Sequence, residues 1–353
     1  EGFRHLKDGK EYWNLYRSAQ SRAEADWLVG LNVTRALTCK FNAQLSAGRV
    51  QTPTLALIVE REKEIKNFRP KEFYRLKADL GAFTAAWDNG KGSGAIESQK
   101  QAEEWKRQML NDIFTVKEVK VTDKQVPPPM LYDLTELQKD ANKKYRFSPK
   151  ETLNIMQRLY ENHKVLTYPR TDSRYLTDDI VPTLPERLKA VAFGEFTAQV
   201  RRIFREGNVI EKSCINNAKV SDHHAIIPTE EKPNLLKMSE EEKKIYFMVV
   251  QRFLAVYYPK YHYQTVSVRL DWKGEFFKAS GKRELEKGWR AVYDGEEEEE
   301  EFQNLPEIQK GDTFVCKNTL VKADKTKAPS RYTEASLLAV MENPSKYIND
   351  KEM

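Results

Sequence analysis

The feature that most constrains the fold is a hydrophobic period that changes along the chain from helical to strand-like and back, twice. Residues 1–65 carry apolar residues at helical spacing, as in "SRAEADWLVGLNVTRAL". Residues 70–128 change to β-rich runs such as "EFYRLKADL" and "FTVKEVKVTD". Helical patterns return over 131–258, strand patterns over 260–322, and a short helix follows. This order predicts a multidomain α+β protein.

Nesting of these blocks is the most economical arrangement. We predict a helical base domain from residues 1–65 plus 326–353. A β-rich domain is predicted from residues 66–130 plus 259–325, and the helical block 131–258 would be inserted in it. Two serines fit helix starts inside that block, because each is followed three positions later by glutamate, at Ser148–Glu151 and Ser239–Glu242.

The charge balance permits a polyanionic partner without establishing one. The 353 residues contain 59 Lys and Arg against 53 Asp and Glu, a net charge of +6. The acidic run Glu296–Glu301, predicted to be a solvated loop, leaves the remainder more basic than this total. Three distant cysteines without a CxxC pattern predict no zinc site, no disulfide framework and a reducing cytoplasm. No apolar run of about 18 residues occurs, so no membrane partner is expected.

A tyrosine and an arginine flank a proline in "LTYPRTDSRYL". Proline favours extended geometry in the residue before it, and residues two apart in an extended segment share a face. Tyr168 and Arg170 are therefore expected on one side. A guanidinium beside a phenol favours the phenolate and can hold a phosphate oxygen, as covalent catalysis by tyrosine requires. Spacing alone leaves open that Tyr168 packs in a core and Arg170 pairs with a carboxylate.

Three further stretches contain candidate phosphate-binding residues. "SDHHAIIPTE" holds the adjacent pair His223 and His224, which either cap or fill a core or else contact a phosphate. "LSAGRVQTPTL" combines small residues with polar ones, namely Ser46, Arg49 and Gln51, and is either a tight turn into a helix or a binding loop.

The last candidate stretch is "APSRYTEASL", in which Arg331 precedes a helix start. A cation there could help the exposed N–H groups of the helix to hold an anion. The alternative is an ordinary surface arginine.

Taken together, these stretches resemble one known family. "LSAGRVQTPTLALIVEREKEIKNF", "LYDLTELQKDAN", "LTYPRTDSRYL", "SDHHAIIPT" and "SRYTEASLLAVMEN" occur in the order seen in type IA DNA topoisomerases, and "TYPRTDS" and "DHHAIIPT" look most like the bacterial topoisomerase III branch. The resemblance implies a toroidal core in which two mainly helical domains are joined by a β-rich arch. It implies single-stranded DNA as the partner and an ATP-independent cycle of cleavage, strand passage and religation.

The resemblance also implies roles for the candidate residues. Tyr168 would attack a phosphodiester and form a 5′-phosphotyrosyl link, and Arg170 and His223 would contact the scissile phosphate. The remaining candidates would bind the DNA strand: Ser46, Arg49, Gln51, His224 and Arg331.

One part of the family pattern has no match here. The family begins with a Toprim domain whose acidic residues bind Mg²⁺, and no Asp-x-Asp motif in a strand–loop setting occurs in this sequence. We therefore expect a fragment of a longer protein that holds no metal itself and does not relax supercoiled DNA alone. We expect a cytoplasmic, nucleoid-associated monomer, and the sequence leaves open whether a helicase is a partner.

Two other classes of DNA-binding protein are alternatives to a topoisomerase. Relaxases also use tyrosine, but they need His-hydrophobic-His on a strand, whereas His223 and His224 are adjacent. A non-catalytic single-strand binder, with charged grooves and stacking aromatic rings, remains an alternative.

Overall fold

The computed structural model describes residues 6–90, 94–293 and 303–343, and these form two compact units. Within the described ranges, unit 1 comprises residues 6–69, 327–333 and 341–343, and unit 2 comprises residues 70–90, 94–293, 303–326 and 334–340. The acidic run 296–301 lies outside the described residues. The division into three domains stays a prediction.

Unit 1 is built on two long helices, α1 (Trp13–Phe41) and α2 (Gln51–Asn67). The turn before α1 is capped by Asp8, and α1 ends at Phe41, followed by Asn42 as a C-cap in the left-handed conformation. Neither helix contains a buried residue, and Trp27 is 65% exposed. The apolar spacing thus predicts the helix correctly, although the described residues do not cover its apolar stripe.

Two threonines of α1 hold the loop that leads to α2. The hydroxyl of Thr34 accepts a hydrogen bond from the backbone N–H of Ala47 at 2.9 Å. The hydroxyl of Thr38 donates to the carbonyl oxygen of Leu45 at 3.2 Å. These bonds fix the loop at two points next to the stretch "SAGRVQ".

Unit 2 contains a seven-stranded antiparallel sheet. Its strands are β1 (Glu72–Asp79), β2 (Thr84–Asp88), β3 (Ile113–Val126), β4 (Tyr261–Trp272), β5 (Glu275–Glu286), β6 (Thr313–Val315) and β7 (Asn318–Lys325). They lie in the order β6-β3-β4-β5-β2-β1-β7. Between β4 and β5 the chain turns at Lys273 and Gly274, both with positive φ, as the tight turn of a two-residue hairpin requires.

One face of the sheet packs on a hydrophobic core. Along β1, Leu76 and Ala78 are buried while Lys77 is exposed, as expected for a strand with one covered face. Phe114 and Phe277 meet edge to face at 5.0 Å in this core. A helix, α3 (Gln99–Met109), packs against β1 and β7.

The helical part of unit 2 surrounds a second core. Its helices are α4 (Leu134–Tyr145), α5 (Pro149–Glu161), α6 (Leu184–Ala190), α7 (Phe196–Glu206) and α8 (Glu240–Ala255). The predicted capping boxes are confirmed at the starts of α5 and α8. A last helix, α9 (Glu334–Glu342), follows the sheet. The alternation of helical blocks with an antiparallel sheet confirms the α+β prediction.

The helical part joins the sheet where the chain crosses between them. The indole N–H of Trp289 donates to the carbonyl of Val126 at 3.0 Å, and its backbone N–H donates to Pro259. Gly288 lies so close to these crossings that a Cβ would sit 2.4 Å from the carbonyl oxygen of Lys260. Arg252 of α8 donates to the carbonyl of Met130 at 3.0 Å. The junction is therefore held from both sides.

Candidate active site

The segment that carries Tyr168 runs beside the segment that carries the two histidines. Leu166 bridges to Pro228, and the backbone N–H of Thr167 donates to Ile227 at 3.0 Å. The N–H of Thr229 returns a bond to Val165 at 3.0 Å. Motifs more than fifty residues apart in sequence are thus hydrogen-bonded side by side.

A threonine of the tyrosine segment binds the backbone of His223. The hydroxyl of Thr171 donates to the carbonyl of His223 at 2.8 Å and accepts from the N–H of Ser173 at 3.1 Å. The ring centroids of Tyr168 and His223 are 4.3 Å apart, with an angle of 39° between the planes. The fold therefore brings together two of the residues that the sequence nominated.

A second tyrosine, which sequence reasoning missed, supports the first. Tyr160 near the end of α5 meets Tyr168 edge to face, with ring centroids 5.5 Å apart. Nothing in the sequence pattern marks Tyr160, because its contact with Tyr168 arises from the turn between α5 and the tyrosine segment. The ring of Tyr168 is thus flanked by one phenol and one imidazole.

The exposure of the segment alternates around Tyr168. Pro169 and Thr171 are buried, Arg170 is exposed and Tyr168 is half-buried. Among the described residues, none hydrogen-bonds the hydroxyl of Tyr168 and none forms an ion pair with Arg170. The phenol oxygen and the guanidinium are both available to an anion from solvent.

Buried and partly buried ion pairs hold the two segments of this site to the helical core. Arg174, in the same segment, pairs with Asp133 at 2.6 Å, and Asp133 caps the start of α4. The buried Arg187 donates to the carbonyl of Pro228 at 2.9 Å and pairs with Glu230 at 2.8 Å. These contacts fix both segments to the helical core, so the rings at the surface have a rigid base.

The two histidines differ in environment. His223 is exposed, whereas His224 is half-buried and its Nδ1 donates to the carbonyl of Ala225 at 2.7 Å. Burial lowers the pKa of His224, which favours its neutral form. His223 is therefore the histidine with an open ring beside Tyr168, and His224 has a local backbone partner.

The candidate residues of unit 1 lie in a different setting. The side chain of Gln51 folds against Gly48, where a Cβ would be 3.1 Å from its Cγ, and its amide is 3.5 Å from the hydroxyl of Ser46. Arg49 forms a two-bond pair with Asp26 at 2.5 and 3.0 Å. This hydrogen bond lowers the pKa of Asp26 and raises that of Arg49.

Arg331 is paired in the same way. It donates to both carboxylate oxygens of Glu62 at 2.6 and 3.0 Å. The bond from Arg331 lowers the pKa of Glu62. Both arginines that the sequence nominated in unit 1 are thus held in bidentate geometry, the geometry in which a guanidinium also binds phosphate.

Neither a metal-ligand cluster nor a membrane-spanning helix occurs within the same described ranges. No group of three or more His, Cys, Asp or Glu side chains there could hold a metal ion. None of the helices in those ranges combines the length and the hydropathy of a bilayer span.

Comparison with known proteins gives a single answer. A family model described as DNA topoisomerase matches residues 10–345. The chain is 48% identical over 362 residues to DNA topoisomerase 3 of Bacillus licheniformis, and 47% identical over 358 residues to that of Bacillus subtilis. Each alignment covers 100% of this chain and 49% of the relative, so the chain spans about half the length of these relatives.

A solved structure agrees with these relatives. Full-length topoisomerase I from Thermotoga maritima superposes with a TM-score of 0.73 at 27% sequence identity. The match covers 94% of this chain and 55% of that chain.

Proposed function

The chain belongs to the type IA DNA topoisomerase family, and on that premise we propose that it carries the tyrosine with which such an enzyme cleaves single-stranded DNA. The observation that supports this most is the pairing of the Tyr168 and His223 rings at 4.3 Å beside an exposed arginine. A structural tyrosine would be expected to bury its ring, whereas the ring of Tyr168 is only half-buried.

The proposed step is a transesterification. The phenol oxygen of Tyr168 loses its proton and attacks the phosphorus of a phosphodiester. The bond from phosphorus to the 3′ oxygen breaks, and that oxygen takes up a proton to become a 3′-hydroxyl. The 5′-phosphate stays on the tyrosine. Religation reverses each bond change, so no ATP is required, because the phosphoester count is unchanged.

Arg170 and His223 would act on the phosphate in this step. Charge develops on the non-bridging oxygens, and a guanidinium placed before the reaction stabilises it without reorganisation. Arg170 is exposed beside Tyr168, and its fork geometry fits two phosphate oxygens. His223 would donate a hydrogen bond from its open ring to the same group. The neutral His224, with its backbone partner, would contact the strand further away.

Among the described residues, no group of three or more His, Cys, Asp or Glu side chains is arranged to hold a metal ion. We therefore assign no step here to a metal. On the family resemblance, we propose that Mg²⁺ would be bound by a Toprim domain of the longer protein. We propose that the chain alone binds DNA weakly and does not relax supercoils.

Unit 1 would hold the strand through Ser46, Arg49, Gln51 and Arg331. The protein would act as a monomer at the nucleoid in the cytoplasm. Whether a helicase is its partner is left open.

The test is capture of a covalent complex with a labelled single-stranded oligonucleotide. The polypeptide should have the relatives' full length and contain residues 1–353. Denaturation during the reaction should leave label on the protein, and Tyr168→Phe should abolish this while leaving oligonucleotide binding intact. Tyr160→Phe is the matched control, because it removes a neighbouring hydroxyl and should keep the adduct. Label retained by Tyr168→Phe would show that another group is the nucleophile.

A further inference from the structure

A row of cations crosses the outer face of the sheet. The strand register pairs Lys77 with Ala86, Ala86 with Lys278, and Lys278 with Arg269. Residues paired directly across antiparallel strands lie on the same face. Neighbouring strands are about 4.8 Å apart, so the row spans about 14 Å from β1 to β4.

The row continues along the ribbon formed by β3, β4 and β5. Lys120 is paired with Ser267 and Lys124 with Tyr263, which places both lysines on the same outer face. We call Lys77, Lys120, Lys124, Arg269 and Lys278 the cation band. All five side chains belong to exposed residues, and none forms an ion pair with another residue in the described part of the chain.

Acidic side chains also lie on this face next to the cation band, among them Glu284, which is paired with Tyr263. Glu118 is opposite Arg269 on β3, which is an edge strand at that point. Asp88 and Asp271 flank Phe276 next to the hairpin turn. Asp324, on β7, is 3.6 Å from Arg75. Because none of its five cations forms an ion pair with these acids, the cation band still forms a strip that a polyanion could follow.

Aromatic rings lie beside the cation band, each with a cation above it. Arg269 is 3.8 Å from the ring centroid of Phe276, and Lys282 is 4.7 Å from that of Tyr263. Tyr263 also stacks on Tyr261 at 4.9 Å. Phe276 and Tyr263 are only half-buried. This face thus presents π surfaces and cations together.

A groove marks the centre of this face. Its volume is about 210 Å³. Its lining combines three cations with two acids, a serine and an aromatic ring: Lys120, Arg269, Lys278, Asp88, Glu118, Ser267 and Phe276. Serine hydroxyls next to lysines and arginines are typical phosphate contacts, and half-buried rings can stack on bases. Duplex DNA hides its bases, so the rings would add nothing for a duplex.

We propose that this outer face is a second binding surface for single-stranded DNA, distinct from the Tyr168 site. The proposal rests on the proposed function only for the class of ligand, since no residue of the Tyr168 site takes part. Phosphates would lie along the cation band, and bases would contact Phe276 and Tyr263. The surface would hold a strand that is not the one being cleaved, or a distant part of the same strand.

The test measures how salt affects binding of oligothymidylate to the 353-residue chain. The oligonucleotide should have about 16 nucleotides, the upper site size of comparable surfaces. The variant is the triple charge reversal Lys120→Glu, Arg269→Glu and Lys278→Glu. Loss of three phosphate contacts should reduce the slope of log K against log salt by about 2, and affinity at low salt should fall by at least about tenfold.

The matched control reverses three exposed lysines elsewhere: Lys100→Glu, Lys237→Glu and Lys310→Glu. It changes net charge equally and should leave the slope unchanged. An equal loss in both triple variants would mean that only total charge matters, and would overturn the proposal. So would an equal loss of affinity for a duplex of the same length, because the rings would then have no role.

A cross-linking arm keeps the result independent of folding effects and of Tyr168. Photoactivated thiothymidine in the oligonucleotide should attach to peptides containing Phe276 or Tyr263, in wild type and in Tyr168→Phe alike. Cross-links confined to other peptides would refute the second surface. If wild type forms no covalent adduct, the proposed function is wrong. The cross-links and the salt dependence of binding would still show whether the outer face binds single-stranded DNA.

Discussion

The tyrosine segment of unit 2 and the arginine-bearing segments of unit 1 are both nominated by sequence motifs, but they differ in charge pairing. Arg170 forms no ion pair with any described residue. Arg49 and Arg331 are each held by a carboxylate through two hydrogen bonds. A motif therefore names the residue type and not its partner. Only the fold decides which guanidinium is available.

The two regions also differ in how well they are packed on buried residues. The tyrosine segment rests on a buried core and is anchored by Arg187 and Asp133, which are 7% and 5% exposed. The helices of unit 1 contain no buried residue. Bond making requires reacting groups to be held within a fraction of an ångström, whereas phosphate contacts tolerate looser placement. We therefore assign chemistry to the first region and strand binding to the second.

The largest effect after loss of the nucleophile is expected at Arg170. Arg170→Ala should slow adduct formation by about 10²- to 10³-fold at saturating oligonucleotide, as removal of one preorganised donor does in other enzymes. Arg170→Lys should recover part of the rate, because the charge returns without the planar fork. Arg49→Ala should instead weaken binding and spare the rate at saturation. If both alanine variants changed only affinity, the distinction between the two regions would be lost.

Removing the charge of a buried carboxylate near the tyrosine segment should lower the free energy of unfolding more than the same change at an exposed carboxylate of unit 1. Glu242 of α8 is 6% exposed. It pairs with Arg158 at 2.7 Å and with His163 at 3.2 Å, two residues that lie just before the tyrosine segment in sequence. Glu242→Gln should lower the free energy of unfolding by about 1–3 kcal/mol. The exposed pair of Glu62 is the control, and Glu62→Gln should cause no measurable change in denaturant unfolding.

The same pair predicts a pH dependence. Burial acts to raise the pKa of Glu242, but the hydrogen bonds from Arg158 and Ser239 outweigh it, so the pKa is lowered on folding. The contribution of Glu242 is thus present above the unfolded pKa of about 4.3 and is lost as the pH falls through the lower folded pKa. As the pH falls below the unfolded pKa of about 4.3, wild type should lose more stability than Glu242→Gln. Parallel losses would contradict this assignment.

A smaller effect is expected at Thr171. Thr171→Val keeps the shape but removes the hydroxyl that holds the carbonyl of His223 and the N–H of Ser173. We expect a loss of about 1 kcal/mol in unfolding free energy and a severalfold slower adduct formation, because the two segments separate. Unchanged adduct kinetics in a destabilised variant would show that Thr171 has only a structural role.

The smallest effect is expected in unit 1. Asp26→Asn should release Arg49 for phosphate and raise affinity for single-stranded DNA by at most about fivefold, as expected for an exposed pair. The gain should diminish with added salt. Fluorescence anisotropy with a labelled oligonucleotide measures both, and Glu24→Gln, two residues away on α1, is the control. A gain of equal size in the control would mean that Arg49 is not the group released.

Sequence reasoning succeeded where the signal is local. The hydrophobic period gave the helical and strand blocks, and the capping pattern located the starts of α5 and α8. It missed Tyr160, and it could not foresee that Arg49 pairs with Asp26 or Arg331 with Glu62. Those partners lie 23 and 269 residues away, and side-chain contacts at such separations follow from the fold and leave no local pattern.

The central claim is that Tyr168 itself becomes linked to a 5′-phosphate. The most direct measurement compares oligonucleotides labelled at either end, followed by mass spectrometry of the peptide that carries the nucleotide. We predict that the 3′ label stays with the protein, that the 5′ label leaves on a strand with a 3′-hydroxyl, and that the modified peptide contains Tyr168. A modification on any other residue, or retention of the 5′ label, would contradict the account.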